Sequence, residues 1–340
     1  MGSVKDLTII QPADENKTGI GRFTFSDRYS VFDWGEMPDH IDNKGKAICI
    51  TTAYFFEKLE QLGMSSHYLG LVEENVAQKL DSLKSPSHIM EFRMFRVIKP
   101  KLEGNVFNYS IYKTVTNNFL VPLEVIFRNS LPAGSSVFKR LKQGQLKLED
   151  IGFTEMPEPG TRLTTPILDV STKLENIDRY ISWQEAQEIS HLTDEEMSRM
   201  KEMTLEIDNL ITGEMGNLGL YHEDGKIEFG MDLNRQLVLV DALGTLDECR
   251  FTYEGIPVSK EIARIYYRNS VWYKELEEIK KEDSVHWKEK VTTRPEPLPV
   301  ELKQAISDLY CGVANELTGR EWFKVPSLSD TLKTVKQFIG

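Results

Sequence analysis

The sequence predicts an α+β fold, and three observations carry that expectation. Strand-like and helical stretches follow one another without regular βαβ alternation. Two segments read as β-hairpins, and the chain beyond residue 256 is mostly helical. In order, TIIQPAD and GRFTFSDR form a hairpin pair, with Gly19 and Gly21 marking the turn. The stretch from Thr51 to Leu62 carries apolar residues at helical spacing and stops at Gly63, a natural C-cap. HIMEFRMFRVIKP, NVFNYSIYK and LEVIFRN follow as β-rich runs. A long helix starts from Ser182 as N-cap and runs towards Ile211, where TGEMG breaks it. Next comes a sharp hairpin, KIEFGM, turn DLNR, then QLVLVD. Within the helical C-terminal part, the proline-rich RPEPLPVEL reads as a stiff connector.

The composition, 40% hydrophobic and 28% charged over 340 residues, is that of a globular protein with room for two packed domains. A net charge of −12 disfavours nucleic acid as a partner, yet leaves room for a small anion held by a few convergent cations. No apolar run reaches the roughly 20 residues that span a bilayer, so no membrane partner is expected. The start, MGSVKDLTII, lacks a basic flank followed by an apolar stretch. Cys49, Cys249 and Cys311 lie far apart, which argues for a reducing compartment. A cytoplasmic location follows as the expectation.

The hairpin DGKIEFGMDLNRQLVLVD holds the first candidate site. Residues alternate faces, so Lys226 and Glu228 share one. With a turn over Asp232 to Arg235, Met231 pairs with Gln236 and Lys226 faces Asp241. Glu228 is then the diagonal neighbour of Asp241, at about 7 Å between Cβ atoms. Two such carboxylates can share a hard cation such as Mg²⁺, with Lys226 beside them to neutralise an anion. Spacing alone favours a hairpin whose charges merely face water; the rest of the sequence shifts that balance.

DGKIEFG at 224–230, followed by VDALGTLDECRF at 240–251, resembles the DxKxEFG and D…TPDSSR[FW] segments of SAICAR synthetases. DRYSVFD at 27–33 is similar to that family's DRISAFD, and a Lys44–Gly45 pair follows it. VPLEVIFRNSLPAGS at 121–135 resembles VPxExVxRNxxxGS, and DVSTKLE at 169–175 resembles TPSTKAE. SKEIARIYYRNSVW, RPEPLPVEL and ANELTGREW are similar to the family's C-terminal segments. The likeness runs in order through nearly the whole chain.

The resemblance implies a two-lobed fold with an ATP-grasp or kinase-like nucleotide cleft and a helical C-terminal extension. Residues 1–119 would form a β-rich ATP-binding lobe, 120–255 a central α+β lobe, and 256–340 the extension. It implies ATP-dependent ligation of aspartate to a phosphoribosyl-imidazole carboxylate through an acyl-phosphate, in purine biosynthesis, with ATP and Mg²⁺. Glu228 and Asp241 would hold the metal, and Leu120, Leu123 and Glu124 the adenine hinge. Arg128 and Ser135 would hold the phosphoribosyl end. Lys226, Arg250 and Asp247 are the catalytic candidates. Ser30 and Asp33 would line the amino-acid side, Lys173 would lie on a closing loop, and Asp178 would match the aspartate of the family's HD pair. Small molecules are the expected partners, and a homo-oligomer is left open.

Three departures bear on that reading. The family's GK[VA][RK] phosphate loop has only GSVK as counterpart, with Ser3 in place of a lysine and Lys5 as the remaining cation; Lys17 or Arg22 could supply the missing charge. Leu246, Glu248 and Cys249 stand where the family has proline and two serines. The histidine of the HD pair is absent. These keep two other functions open, a paralogous ligase or small-molecule kinase with a different acceptor, and a non-catalytic nucleotide-binding protein.

Overall fold

The computed structural model describes residues 4–283 and 286–339. The N-terminal antiparallel sheet consists of β1 (Lys5–Gln11), β2 (Gly19–Phe25), β3 (Tyr68–Glu73), β4 (Val76–Gln78) and β5 (Ile89–Met94), in the order β1-β2-β5-β3-β4. Helix α1 (Lys44–Gln61) packs across it. A small hairpin, β6 (Lys101–Glu103) and β7 (Val106–Asn108), leads to the long strand β8 (Phe119–Leu131). After α2 (Ser136–Lys142) come β9 (Thr161–Thr172), α3 (Trp183–Ser190) and α4 (Asp194–Asn217). The second sheet is completed by β10 (Tyr221–Met231), β11 (Leu237–Val240), β12 (Cys249–Tyr253) and β13 (Ile256–Pro257). Its order is β13-β12-β10-β8-β9, with β11 also paired to β10. Helices α5 (Glu261–Arg268), α6 (Val271–Glu282), α7 (Trp287–Lys290), α8 (Val300–Thr318) and α9 (Leu328–Ile339) end the chain. None of the described helices is long and apolar enough to cross a membrane.

The mixed helix and sheet content agrees with the expected α+β class; several local expectations shift. Gly19 and Gly21 lie inside β2 rather than at a turn. A Cβ on Gly21 would come within 2.7 Å of the Phe92 ring on β5, so this glycine serves close strand packing. Helix α1 starts at Lys44, ahead of the expected Thr51. The single helix expected from Ser182 is two. His191 adopts a left-handed conformation, and Thr193 then opens α4 with a full capping box to Glu196. The TxxE spacing of that box was readable in the sequence. TGEMG does not break α4, which absorbs Gly213 and Gly216 and ends at Asn217.

The second sheet has two unlike faces. Leu123, Val125, Phe127, Val170, Ile227, Phe229 and Phe251 are buried in the main core, with α4 packed against β8 and β10. Pleating sends their neighbours the other way, and cross-strand register brings Glu124 opposite Glu228, and Arg128 opposite Asp224. Arg250 lies opposite Asp224 on the other side. The polar face therefore gathers charges that the sequence spreads over more than a hundred positions. The C-terminal helices are part of the same core: α8 packs on α1, and Leu309, Ala314 and Leu332 share one buried cluster with residues of both sheets.

Candidate active site

Two charge clusters occupy the polar face. The first centres on Glu228 and Asp241. The β10–β11 register pairs Met231 with Leu237 and Glu228 with Val240, one residue away from the expected pairing of Met231 with Gln236. The reason lies in the loop, where Arg235 takes a left-handed φ of 58° and the Asp232 N–H donates to the Gln236 carbonyl at 2.9 Å. In that register a regular strand would turn Asp241 away from Glu228. Asp241 instead has φ 72°, outside the extended region. Its carboxylate lies near enough to act electrostatically on Glu228. The two carboxylates come within electrostatic reach of each other by a left-handed residue rather than by diagonal pairing.

Three lysines surround them. Lys5, at the start of β1, is ion-paired with Asp241. Lys173, at the end of β9, sits 2.7 Å from Glu228 and 3.5 Å from Glu124. Lys226 lies 2.6 Å from Glu124 and 3.5 Å from Glu248. Burial, then the charge of Asp241, pushes the Glu228 carboxyl upward. Burial acts most strongly on Asp241, in the same sense, but Lys5, Lys173 and Lys226 together outweigh it and hold that carboxyl below its usual range. Asp178, on the exposed stretch after Lys173, is close enough to feel Glu124, Lys173 and Lys226.

Beside this cluster lies a small apolar patch, Phe95, Val238 and Val240 with Leu120 against them. Gly230 permits it, since a Cβ there would stand 2.7 Å from the Phe95 ring. Between the pairs Glu124–Glu228 and Leu120–Gly230, residues 121–123 of β8 face only Phe229, so the strand bulges at Pro122, which has no N–H to give to the ladder. Leu123 itself turns into the core.

The second cluster is built on arginines. Arg128, 2% exposed, reaches Asp169 at 3.3 Å, Asp224 at 3.5 Å, the Tyr180 hydroxyl at 3.2 Å and Ser136 Oγ at 3.1 Å. Arg140 pairs with Asp169, and Arg250 grips Asp224 through Nε at 2.7 Å and through Nη2. Ser135 stands apart from these contacts: its hydroxyl accepts from the Val137 N–H and caps α2, while Ser136 touches Arg128. Arg140, Asp169, Tyr180 and Ser136 were not among the sequence candidates. Within DVSTKLE, Asp169 was nevertheless in view.

A cavity of about 320 Å³ adjoins the first cluster, lined by Ser30, Asp33, Lys226, Asp247, Glu248, Lys260 and Arg264 among others. Asp33 is exposed, 3.8 Å from Lys280. Asp247 has its oxygens committed, one to Lys44 at 2.6 Å and the other to the Tyr310 hydroxyl at 2.6 Å. It ties α1 and α8 to the loop after β11 rather than offering a free carboxylate to the cavity. Of the two alternative cations, Arg22 is bound to Glu91 at 2.8 Å. Gly2 and Ser3 of GSVK lie outside the described residues. Cys49, Cys249 and Cys311 are buried free thiols, and burial pushes all three upward, away from the reactive thiolate.

The ordered motifs and this geometry can be set against known proteins. The SAICAR synthetase family model matches residues 8–279. The chain belongs to the SAICAR synthetase family. A relative from Archaeoglobus fulgidus, provisionally named phosphoribosylaminoimidazole-succinocarboxamide synthase, is 50% identical over 339 residues and covers all of both chains. The solved SAICAR-synthase from Saccharomyces cerevisiae complexed with SAICAR shares the fold, with a TM-score of 0.61 at 19% identity over 95% of this chain and 94% of that one. A SAICAR synthetase in complex with ADP has a TM-score of 0.56 at 20% identity, covering 87% of this chain and 99% of that one.

Proposed function

We propose that this member of the SAICAR synthetase family joins L-aspartate to the carboxylate of 5-amino-1-(5-phosphoribosyl)imidazole-4-carboxylate, with ATP giving ADP and phosphate. The observation that carries the reading is the grouping of the buried Glu228 and the half-buried Asp241, within electrostatic reach of each other among Lys5, Lys173 and Lys226. The donor set suits Mg²⁺: that ion takes one or two carboxylates and completes its shell with water and phosphate oxygens. Glu228 and Asp241 would hold it, and bound there it supplies charge neutralisation to the nucleotide phosphates.

The remaining roles follow from chemistry. Leu120, with Phe95, Val238 and Val240, would cover the faces of adenine, while the bulged backbone through Leu123 and Glu124 forms its edge. Lys5, Lys173 and Lys226 would move from protein carboxylates to phosphate oxygens as the nucleotide enters. Arg128 and Arg250 would hold the ribotide phosphate, the fork geometry of guanidinium suiting a bidentate anion. Ser135 would contribute through α2, whose first turn it caps next to Arg128. In the first step an oxygen of the imidazole carboxylate attacks the γ-phosphorus and ADP leaves. In the second, the aspartate nitrogen attacks the acyl carbon, loses a proton and expels phosphate. Ser30, Asp33 and Asp178 would border the amino-acid side, with Asp247 positioning the loop that carries Glu248. Catalysis then rests on alignment and charge neutralisation, with no enzyme nucleophile.

The test is ADP release from purified protein with ATP, Mg²⁺, aspartate and the imidazole carboxylate ribotide, each omitted in turn. Release that requires all four supports the ligase. Release without aspartate points to a kinase or another amine, a reading that Glu248 in the cavity wall would favour. ATP binding without release under any combination overturns the proposal.

A further inference from the structure

His67 lies in the loop between α1 and β3, is 1% exposed, and has no part in the roles assigned above. We propose that His67 is a positioning residue for Asp241, its ring holding that residue in the left-handed turn that points the carboxylate at Glu228. His67 Nε2 lies 3.0 Å from the backbone carbonyl of Asp241. A carbonyl oxygen only accepts, so Nε2 carries the proton and donates. The bond holds the backbone of the same residue whose positive φ directs the carboxylate.

The ring can do this because it is fixed on every side. It stacks at a tilt against Phe92, with centroids 4.7 Å apart, and meets Phe56 edge-on at 5.5 Å and Phe23 at 6.3 Å. The backbone of His67 is held as firmly: its N–H donates to the Leu239 carbonyl at 2.8 Å, and its carbonyl accepts from the Arg93 N–H at 2.7 Å. Leu239 belongs to β11 and Arg93 to β5, so His67 is stapled to both sheets. A parallel bridge between Ser66 and Leu239 adds to the junction. Left-handed backbone at a residue with a side chain persists only where its surroundings enforce it. Here the enforcing group comes from the loop between α1 and β3, which bonds to β11 beside the strand that carries Glu228.

The inference rests on the reading of Asp241 as a divalent-cation ligand, and the experiment separates the two. The affinities of ADP alone and of Mn²⁺ with ADP are measured by calorimetry on the full chain. The variants are His67→Phe, which keeps an aromatic ring among the three phenylalanines, His67→Gln, which restores an N–H donor, and Asp241→Asn as reference. His67→Phe is expected to weaken Mn²⁺–ADP at least tenfold while leaving metal-free ADP within twofold, and His67→Gln to recover most of the loss. Unchanged Mn²⁺–ADP affinity in His67→Phe, with a loss in Asp241→Asn, overturns the role of His67. No loss in Asp241→Asn overturns the metal reading first and the inference with it. Equal loss with and without metal in His67→Phe makes the residue merely structural and overturns the inference too. Should His67→Phe not fold, ¹⁵N spectra of the native imidazole decide: the Nε2–H tautomer with a slowly exchanging proton supports the role, and the Nδ1–H tautomer overturns it.

Discussion

The two charge clusters on the polar face differ in the kind of cation they use, and that difference separates their tasks. Around Glu228 and Asp241 the cations are lysines, compact point charges on flexible stems, drawn from three distant segments at Lys5, Lys173 and Lys226. Around Asp224 and Asp169 they are arginines, planar forks with several fixed donors each. A lysine can leave a carboxylate and follow a phosphate without rebuilding its surroundings. An arginine held by two carboxylates, two hydroxyls and a ring, as Arg128 is, stays where it is. On the proposed reading the first cluster would be an exchangeable seat for metal and nucleotide, and the second a preformed socket for the ribotide.

The largest break in this picture comes from Glu228→Ala. It removes a carboxylate that lies between Lys173 and Asp241 and that the proposed mechanism uses directly. The turnover of ADP release is expected to fall at least about 10³-fold, about 4 kcal/mol of barrier. The fold should survive, because Lys173 retains Glu124 at 3.5 Å. A loss below tenfold would remove the first cluster from the reaction.

Asp247 tests the distinction between an exchangeable carboxylate and a committed one. Its partners Lys44 and Tyr310 are buried, and Asp247→Asn would leave the Lys44 ammonium without a counter-charge. Unfolding stability at neutral pH should drop by about 3 kcal/mol, read from denaturant midpoints. Burial raises the Asp247 carboxyl, but Lys44 and Tyr310 reverse this and hold it below its ordinary value of 3.8. Its contribution is therefore present above that value and lost as pH falls through the lower folded-state value. The gap between wild type and Asp247→Asn should accordingly narrow below about pH 4. A gap that is constant with pH would mean that the asparagine disturbs packing rather than charge.

These experiments bear on a site only partly legible in the sequence. The alternation of Asp224, Lys226 and Glu228 is a period-two pattern, so their common face could be read directly. The hairpin register could not: it depends on Arg235 adopting a positive φ, and that one residue displaced every pairing by one. Asp241 was found by counting back along the hairpin and then matched to the family motif, whereas its direction is set by a backbone angle that no side-chain pattern announces. His67 carried no signal, being a lone histidine a few residues after a helix. The Lys44–Asp247 pair spans 203 positions and exists only once α1 and the loop after β11 are packed together. Asp247 was placed among the catalytic candidates because a motif names a residue without its neighbours.

The arginine socket is tested by Arg250→Lys. Charge is kept, but the two-pronged grip on Asp224 through Nε and Nη2 is lost. The KM for the ribotide should rise about 30-fold, about 2 kcal/mol, with the KM for ATP unchanged. A rise in the KM for ATP instead would merge the two clusters into one functional unit.

The finest distinction lies between adjacent serines. Ser135 is the residue the family motif points to, yet its hydroxyl accepts from the Val137 N–H at 3.4 Å, whereas Ser136 accepts from Arg128 at 3.1 Å. A cap bond of that length belongs to the weak end of the capping range. Ser135→Ala should cost under about 1 kcal/mol of stability and leave the ribotide KM within about twofold. Ser136→Ala removes a partner of the buried guanidinium and should raise that KM about threefold, about 0.7 kcal/mol, at the low end for one ordinary hydrogen bond. If Ser135→Ala raises the KM tenfold without loss of stability, its hydroxyl turns from the α2 cap to the ribotide on binding. The socket would then be remade by its substrate, and its contrast with the lysine seat would be one of degree.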